Sequence, residues 1–308
     1  MSYRLKPSEP FDAAMRRIVH AQIGKRDKAP RGKLAAETWV HDTRKSLKRL
    51  RAALRLLRFG LGKKQWRRAN DELRQIGRDL SAVRERDVLP RTIAAMRATA
   101  EPTVASALDR LASAFGPNTK AGVDVARLTD ATTSLHKAAA LLTELSPSGA
   151  TKDILTEGLV AAHRKGQRAL AATLADPTDE AVHTLRKAIQ IHWRQMQLLV
   201  KVWPDVMRVR IAAAKDAALA LGQHQDLAML IHCAQEATPG RLVVADANTV
   251  VDTCRREQVA LRACALPLAA RLFAGDPQSF AAEIAALWHL AENEVDDRAD
   301  DESADDER

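Results

Sequence analysis

Apolar residues recur along this chain at three- and four-residue intervals, the spacing of one buried face on an α-helix. The pattern predicts helices over about 10–24, 36–60, 63–97, 102–115, 122–145, 150–175, 178–202, 205–236, 242–273 and 277–292, with Pro90 as a candidate break inside the third. Breakers fall between them: KAPRGK, FGPNTKAG, LSPSGAT, ADPTDE, WPD, TPG and GDP. Asp176-Pro177-Thr178-Asp179 predicts a turn and a cap before the helix that carries His183. No segment alternates with period two in β-branched residues, so an all-α fold is expected.

The pattern also repeats. WVHDTRKSLKRLRAALRLL (39–57) aligns with AVHTLRKAIQIHWRQMQLL (181–199) at an offset of 142, with Val-His-x-x-Arg-Lys in both and the apolar positions in phase. Upstream, the segment around His20 answers that around His163 at an offset of 143. Downstream, LSAVRERDVLP (80–90) answers LGQHQDLAML (221–230) at 141. Three blocks in order at near-constant spacing imply a duplication, with halves of about 1–147 and 148–291.

Composition sharpens this picture. Hydrophobic residues make up 46% of the 308 residues and aromatics only 4%, a balance that favours helix packing. Formal net charge is +9, but the segment 292–308 has ten Asp/Glu against two Arg. That net of −8 leaves +17 on the preceding 291 residues. The body should attract polyanions, and the acidic tail should be disordered on its own. Cys233, Cys254 and Cys264 lack metal or disulfide spacing and read as buried reduced thiols. No uncharged run is long enough to span a membrane, and no apolar leader opens the chain, so a cytoplasmic protein is expected.

The basic residues concentrate in 39–58, which carries seven Lys/Arg and one acid, Asp42. At roughly 100° per residue, Leu47, Leu50, Leu54 and Leu57 form the core stripe. His41, Arg44, Lys48, Arg51 and Arg55 share another side, with Lys45 flanking and Arg49 pointing elsewhere. Like charges at i,i+4 repel, so such a column implies an anion facing it, acids from other helices, or a solvated face. In the second half His183, Arg186 and Lys187 keep the pattern. Gln190, Trp193 and Gln197 replace Lys48, Arg51 and Arg55, with Arg194 beside them. Arg164, Lys165 and Arg168 on the preceding helix are candidates to supply the missing charge. His192 falls in the core stripe and reads as structural. Nothing in these motifs has metal-ligand spacing, and no cofactor is implied.

With its two ordered motif pairs, the chain resembles the CHAD family (conserved histidine α-helical domain) over residues 5–290. The resemblance implies two four-helix-bundle-like halves, related by a pseudo-twofold axis around a basic pore or groove. It also implies binding of long-chain inorganic polyphosphate, with an association with polyphosphate granules. By position His41, Arg44, Lys48, Arg51, Arg55, Arg84, His183, Arg186 and Lys187 match the family's basic motif, whereas Gln190 and Gln225 depart from it. The chain resembles a stand-alone member, because the E-x-E-x-K signature of a CYTH domain is absent.

Two other classes remain open. General polyanion or nucleic-acid binding would also follow from the charge, although one Tyr and five Phe give few stacking platforms. Weak, sequence-independent binding of nucleic acid is expected in any case. A phosphohydrolase or phosphotransferase would need carboxylates to hold a metal, and the motif acids Asp42, Glu85, Asp87 and Asp226 form no spaced pair. The expectation is therefore a binding protein and not an enzyme.

Overall fold

The computed structural model describes residues 3–24, 26, 29–30, 32–115, 125–237 and 240–305, apart from the side chains of 33, 82–87, 125 and 295–305. These residues form eleven α-helices and one 3₁₀ turn, Arg58–Gly60, and among them there is no strand. The first-half helices are α1 (Phe11–Ile23), α2 (Lys33–Leu56), α3 (Lys63–Asp79), α4 (Ser81–Arg97), α5 (Pro102–Phe115) and α6 (Val125–Thr143). The second half follows with α7 (Thr151–Ala175), α8 (Asp179–Leu198), α9 (Pro204–Ala237), α10 (Val244–Leu272) and α11 (Pro277–Asp305).

The segments lie close to where the periodicity puts them, with two corrections, one being that α11 runs past 292 to Asp305. The long third segment breaks at Leu80, between α3 and α4, and Pro90 sits inside α4. In the second half the corresponding stretch does not break: α9 runs straight through Leu221 and Gly222. The predicted cap before α8 is present, because the Thr178 hydroxyl accepts the backbone N–H of Ala181. Asp179 and Glu180 add favourable negative charge to the same first turn.

Three apolar clusters hold the helices together. One gathers α1, α2, α3 and α6 with the N-terminal part of α7, the C-terminal end of α8 and α11. Leu47, Leu50, Leu54 and Leu57 are all buried in it, and each fully buried leucine contributes about 2 kcal/mol. A second joins α7, α8, the first half of α9 and the last turns of α10. The third joins α4 and α5 to the second half of α9 and the first half of α10. The first cluster draws residues from both halves of the repeat, including Met196 and Leu198 of α8 and Phe280 and Trp288 of α11.

Equivalent helices meet in equivalent ways. Helix α1 packs on α6 as α7 packs on α11, and α2 meets α8, α4 meets α9, and α5 meets α10. Helices of opposite halves come into close contact at Gly158 of α7. A Cβ there would lie 2.0 Å from the carbonyl oxygen of Leu56, so only glycine lets α7 lie against the end of α2.

His192 is buried as expected, beside His163 in an aromatic pocket with Phe273 and Phe280. The thiols depart from expectation in one case: Cys254 is buried and Cys233 half-buried, but Cys264 lies on the exposed side of α10. The backbone of α11 continues as helix through the acidic segment to Asp305. Among the described residues no helix is long and apolar enough to cross a membrane.

Candidate functional site

The basic column of α2 is not uniform. Its first member, His41, is exposed at the surface, as is Lys45. Arg44 is anchored inside the protein: its Nη1 donates to the carbonyl of Gly77 at 2.9 Å and to Ser81 Oγ at 2.7 Å. It thereby secures a carbonyl and a hydroxyl on either side of the α3–α4 break. Arg186 takes the matching place in the second half. Its guanidinium lies over Gly222, where a Cβ would approach Nη2 to 3.0 Å.

Two further column members lie near other cations. Arg51 and Arg55 are half-buried, with Arg51 Nε 3.4 Å from Asn70 Oδ1 and Arg55 Nη1 3.3 Å from the carbonyl of Arg51. Burial, then the neighbouring Arg51, pulls the Arg55 guanidinium down to about 10. Arg51 is likewise lowered, first by burial and then by Arg74 and Arg78 of α3, with Asp71 opposing. Lys48 is half-buried on the same side.

Helices α7 and α8 close the group from the second half. The Lys165 ammonium is lowered by partial burial and by Arg55, Lys187, Arg51 and Arg168, in that order, with no acid among the influences on it. Four helices thus bring Arg51, Arg55, Arg74, Arg78, Lys165, Arg168 and Lys187 into one electrostatic neighbourhood. His183 borders it at the start of α8. Its imidazole is pushed toward the neutral form by burial and by Lys187 and Arg186, and the Gln225 amide opposes only part of that effect.

Other candidates lie apart. Arg164 is exposed and near Asp276, whose carboxyl it helps to lower. Arg194 is buried, donates from Nη1 to the Gln190 carbonyl, and stacks 4.9 Å from the Trp193 ring. Burial, with Arg49 and Arg186 nearby, brings it to about 10, so it contributes field more than surface contact. The Arg84 side chain lies outside the described residues. Arg74 and Arg78 were missed in the sequence, although their i,i+4 spacing on α3 was there to read.

Nothing in this neighbourhood resembles a metal centre: among the described residues no three His, Cys, Asp or Glu come together to hold one. What the arrangement offers is a surplus of fixed cations, with planar guanidinium forks and mobile ammonium groups suited to phosphate oxygens.

The CHAD domain family model matches residues 17–235, so the chain belongs to the CHAD family. The match ends near the close of α9, and α10 and α11 lie beyond it. Among solved structures, PptA from Streptomyces chartreusis has a similar fold, with a TM-score of 0.55 and 19% identity, covering 84% of this chain and 99% of that one. The CHAD domain from the plant Ricinus communis is also similar, with a TM-score of 0.53 and 17% identity over 88% and 93% of the two chains. Comparison with curated proteins finds no sequence match.

Proposed function

We propose that the protein binds long-chain inorganic polyphosphate in a groove formed by α2, α3, α7 and α8, and that it is a binding protein and not an enzyme. The observation that carries this reading is Lys165. It sits among Arg51, Arg55, Arg168 and Lys187 from three helices, and no carboxylate of the described residues is among the influences on it. Such a cluster is self-repelling until a polyanion supplies the missing charge. Membership of the CHAD family supports the same ligand.

A polyphosphate chain carries about one negative charge per phosphate and no bases. Rows of Arg and Lys are then sufficient, and affinity comes chiefly from counterion release. The matched packing of α2 on α8 and of α5 on α10 supports a pseudo-twofold arrangement of the halves around this groove. The charge itself is lopsided, because Gln190 and Gln197 stand where Lys48 and Arg55 are. Association with polyphosphate granules in the cytoplasm is the setting in which this binding would operate.

The test is binding of long-chain polyphosphate and of single-stranded DNA at equal phosphate concentration across a salt series, with Arg51→Glu/Arg55→Glu beside the wild type. Preference for polyphosphate at physiological salt, lost in the variant, is the expected result. Equal binding of the two polymers would replace this reading with a general polyanion surface.

A further inference from the structure

The basic run that begins on α2 continues past Arg55. Between Asp42 and Asp71 the chain has no acid, and the last part of that stretch supplies Arg58, Lys63 and Arg67, all exposed. Three contacts set α3 antiparallel against α2. Arg44 reaches the Gly77 carbonyl at 2.9 Å, Arg51 Nε lies 3.4 Å from Asn70 Oδ1, and the Trp66 indole donates to the Leu54 carbonyl at 3.1 Å. The same register brings Arg67 level with Arg55, and Lys63 level with the end of α2.

On α3, Lys63, Arg67, Arg74 and Arg78 fall within about 60° of one another, turned away from the buried Ala69, Leu73 and Ile76. At the rise of an α-helix this row is about 22 Å long. Its far end is already part of the groove, because Arg74 and Arg78 act on Arg51. Its near end is held in place. The Arg58 guanidinium lies 5.2 Å from the Phe59 ring and 5.1 Å from the Trp66 ring, and the Gly60 carbonyl accepts the Ser148 N–H at 2.8 Å. Such stacking orients the guanidinium fork before a ligand arrives. None of Arg58, Lys63, Arg67 and Arg74 forms an ion pair among the described residues. Asp71 stands at the edge of the row, where its Oδ1 accepts the Asn70 amide at 3.3 Å.

Building on the polyphosphate reading, we propose that Arg58, Lys63 and Arg67 extend the groove along the α2–α3 seam to the end of α2, and so select long polyphosphate chains over short ones. Each phosphate neutralised releases a counterion, so a polymer lying along the whole row gains contacts that an oligomer cannot make. A triphosphate is shorter than the row and covers only part of it. It can settle on the cations of the Lys165 cluster without the outer three. A long chain uses both the cluster and the extension, and its affinity and salt dependence carry the sum.

Long-chain polyphosphate and tripolyphosphate are titrated across a salt series into the full wild-type chain and into Arg58→Gln/Lys63→Gln/Arg67→Gln. A control, Arg241→Gln/Arg255→Gln/Arg256→Gln, removes the same charge from exposed positions beside and on α10. For long chains the first variant should reduce the slope of log affinity against log salt by about 2, from three lost contacts at roughly 0.7 each. Its tripolyphosphate affinity should stay at the wild-type value, and the control should keep the wild-type slope. A wild-type slope in the first variant, an equal loss in the control, or an equal loss for tripolyphosphate overturns the extension. In those cases, long-chain binding by the wild type leaves the groove itself standing. A wild type that does not bind long chains, or binds single-stranded DNA equally well, overturns both.

Discussion

Lys165 of α7 and Arg55 of α2 come from opposite halves of the repeat, and after burial Arg55 is the largest influence lowering the Lys165 ammonium. No acid of the described residues is among the influences on Lys165, so the repulsion of the pair is carried by the fold. Polyphosphate binding should return Lys165 toward its ordinary value, and the complex should take up a proton. Affinity should therefore fall as pH rises from the depressed value of the free protein to the ordinary lysine value. Lys165→Arg should keep binding and remove that step. A wild-type affinity that is flat with pH would contradict the coupling.

The two ends of the basic column should respond oppositely to neutralisation. Arg44→Gln removes two hydrogen bonds at the α3–α4 break and should cost about 1–3 kcal/mol. Arg55→Gln removes repulsion instead and should leave Tm unchanged or higher while polyphosphate affinity drops. Thermal melts of both variants, with binding measured on each, separate the anchor from the ligand contact.

Glycine substitutions give a paired test of the helix contact that positions Lys165. Gly158→Ala puts a Cβ within 2.0 Å of the Leu56 oxygen, with backbone on both sides, and should destabilise at the upper end of about 1–3 kcal/mol. Gly77→Ala meets nothing within 4 Å inside α3 and should stabilise by about 0.4–1 kcal/mol. Chemical denaturation reports both, and a neutral Gly158→Ala would show that α7 is free to move off α2.

Acid should act through His192. Burial, then Arg210 and His163, holds its imidazole down to about 3. The unfolded chain takes up this proton near pH 6.5 and the folded one does not. The stabilisation is thus complete above about pH 6.5 and is lost as pH falls toward 3, on the order of a few kcal/mol. His192→Leu should flatten the acid limb of Tm against pH; an unchanged limb would place the sensitivity elsewhere.

Helix positions were legible because each helix buries a stripe at regular spacing, as the leucines of α2 do. The break at Leu80 was not, since leucine is a good helix former and the interruption is secured from outside by Arg44. The equivalent Arg186 spans Gly222 without interrupting α9, so the repeat itself gave no warning. Within the candidate site, the α2 column and Lys165, Arg168 and Lys187 were readable from motif and charge. Arg194 was read as part of that surface but is buried on Trp193. The i,i+4 spacing of Arg74 and Arg78 was readable, but the packing of α3 on α2 that brings them to the column is a long-range contact that no local pattern encodes.

The cation cluster is spread along the chain from Arg51 to Lys187. A ribosome that has released only the first half has made the arginines of α2 and α3 but none of the groups from α7 and α8. The incomplete chain therefore has only part of the cation cluster, and it lacks the contact that sets the two halves against each other. The complete cluster arrives late in synthesis, when the second half has folded onto the first.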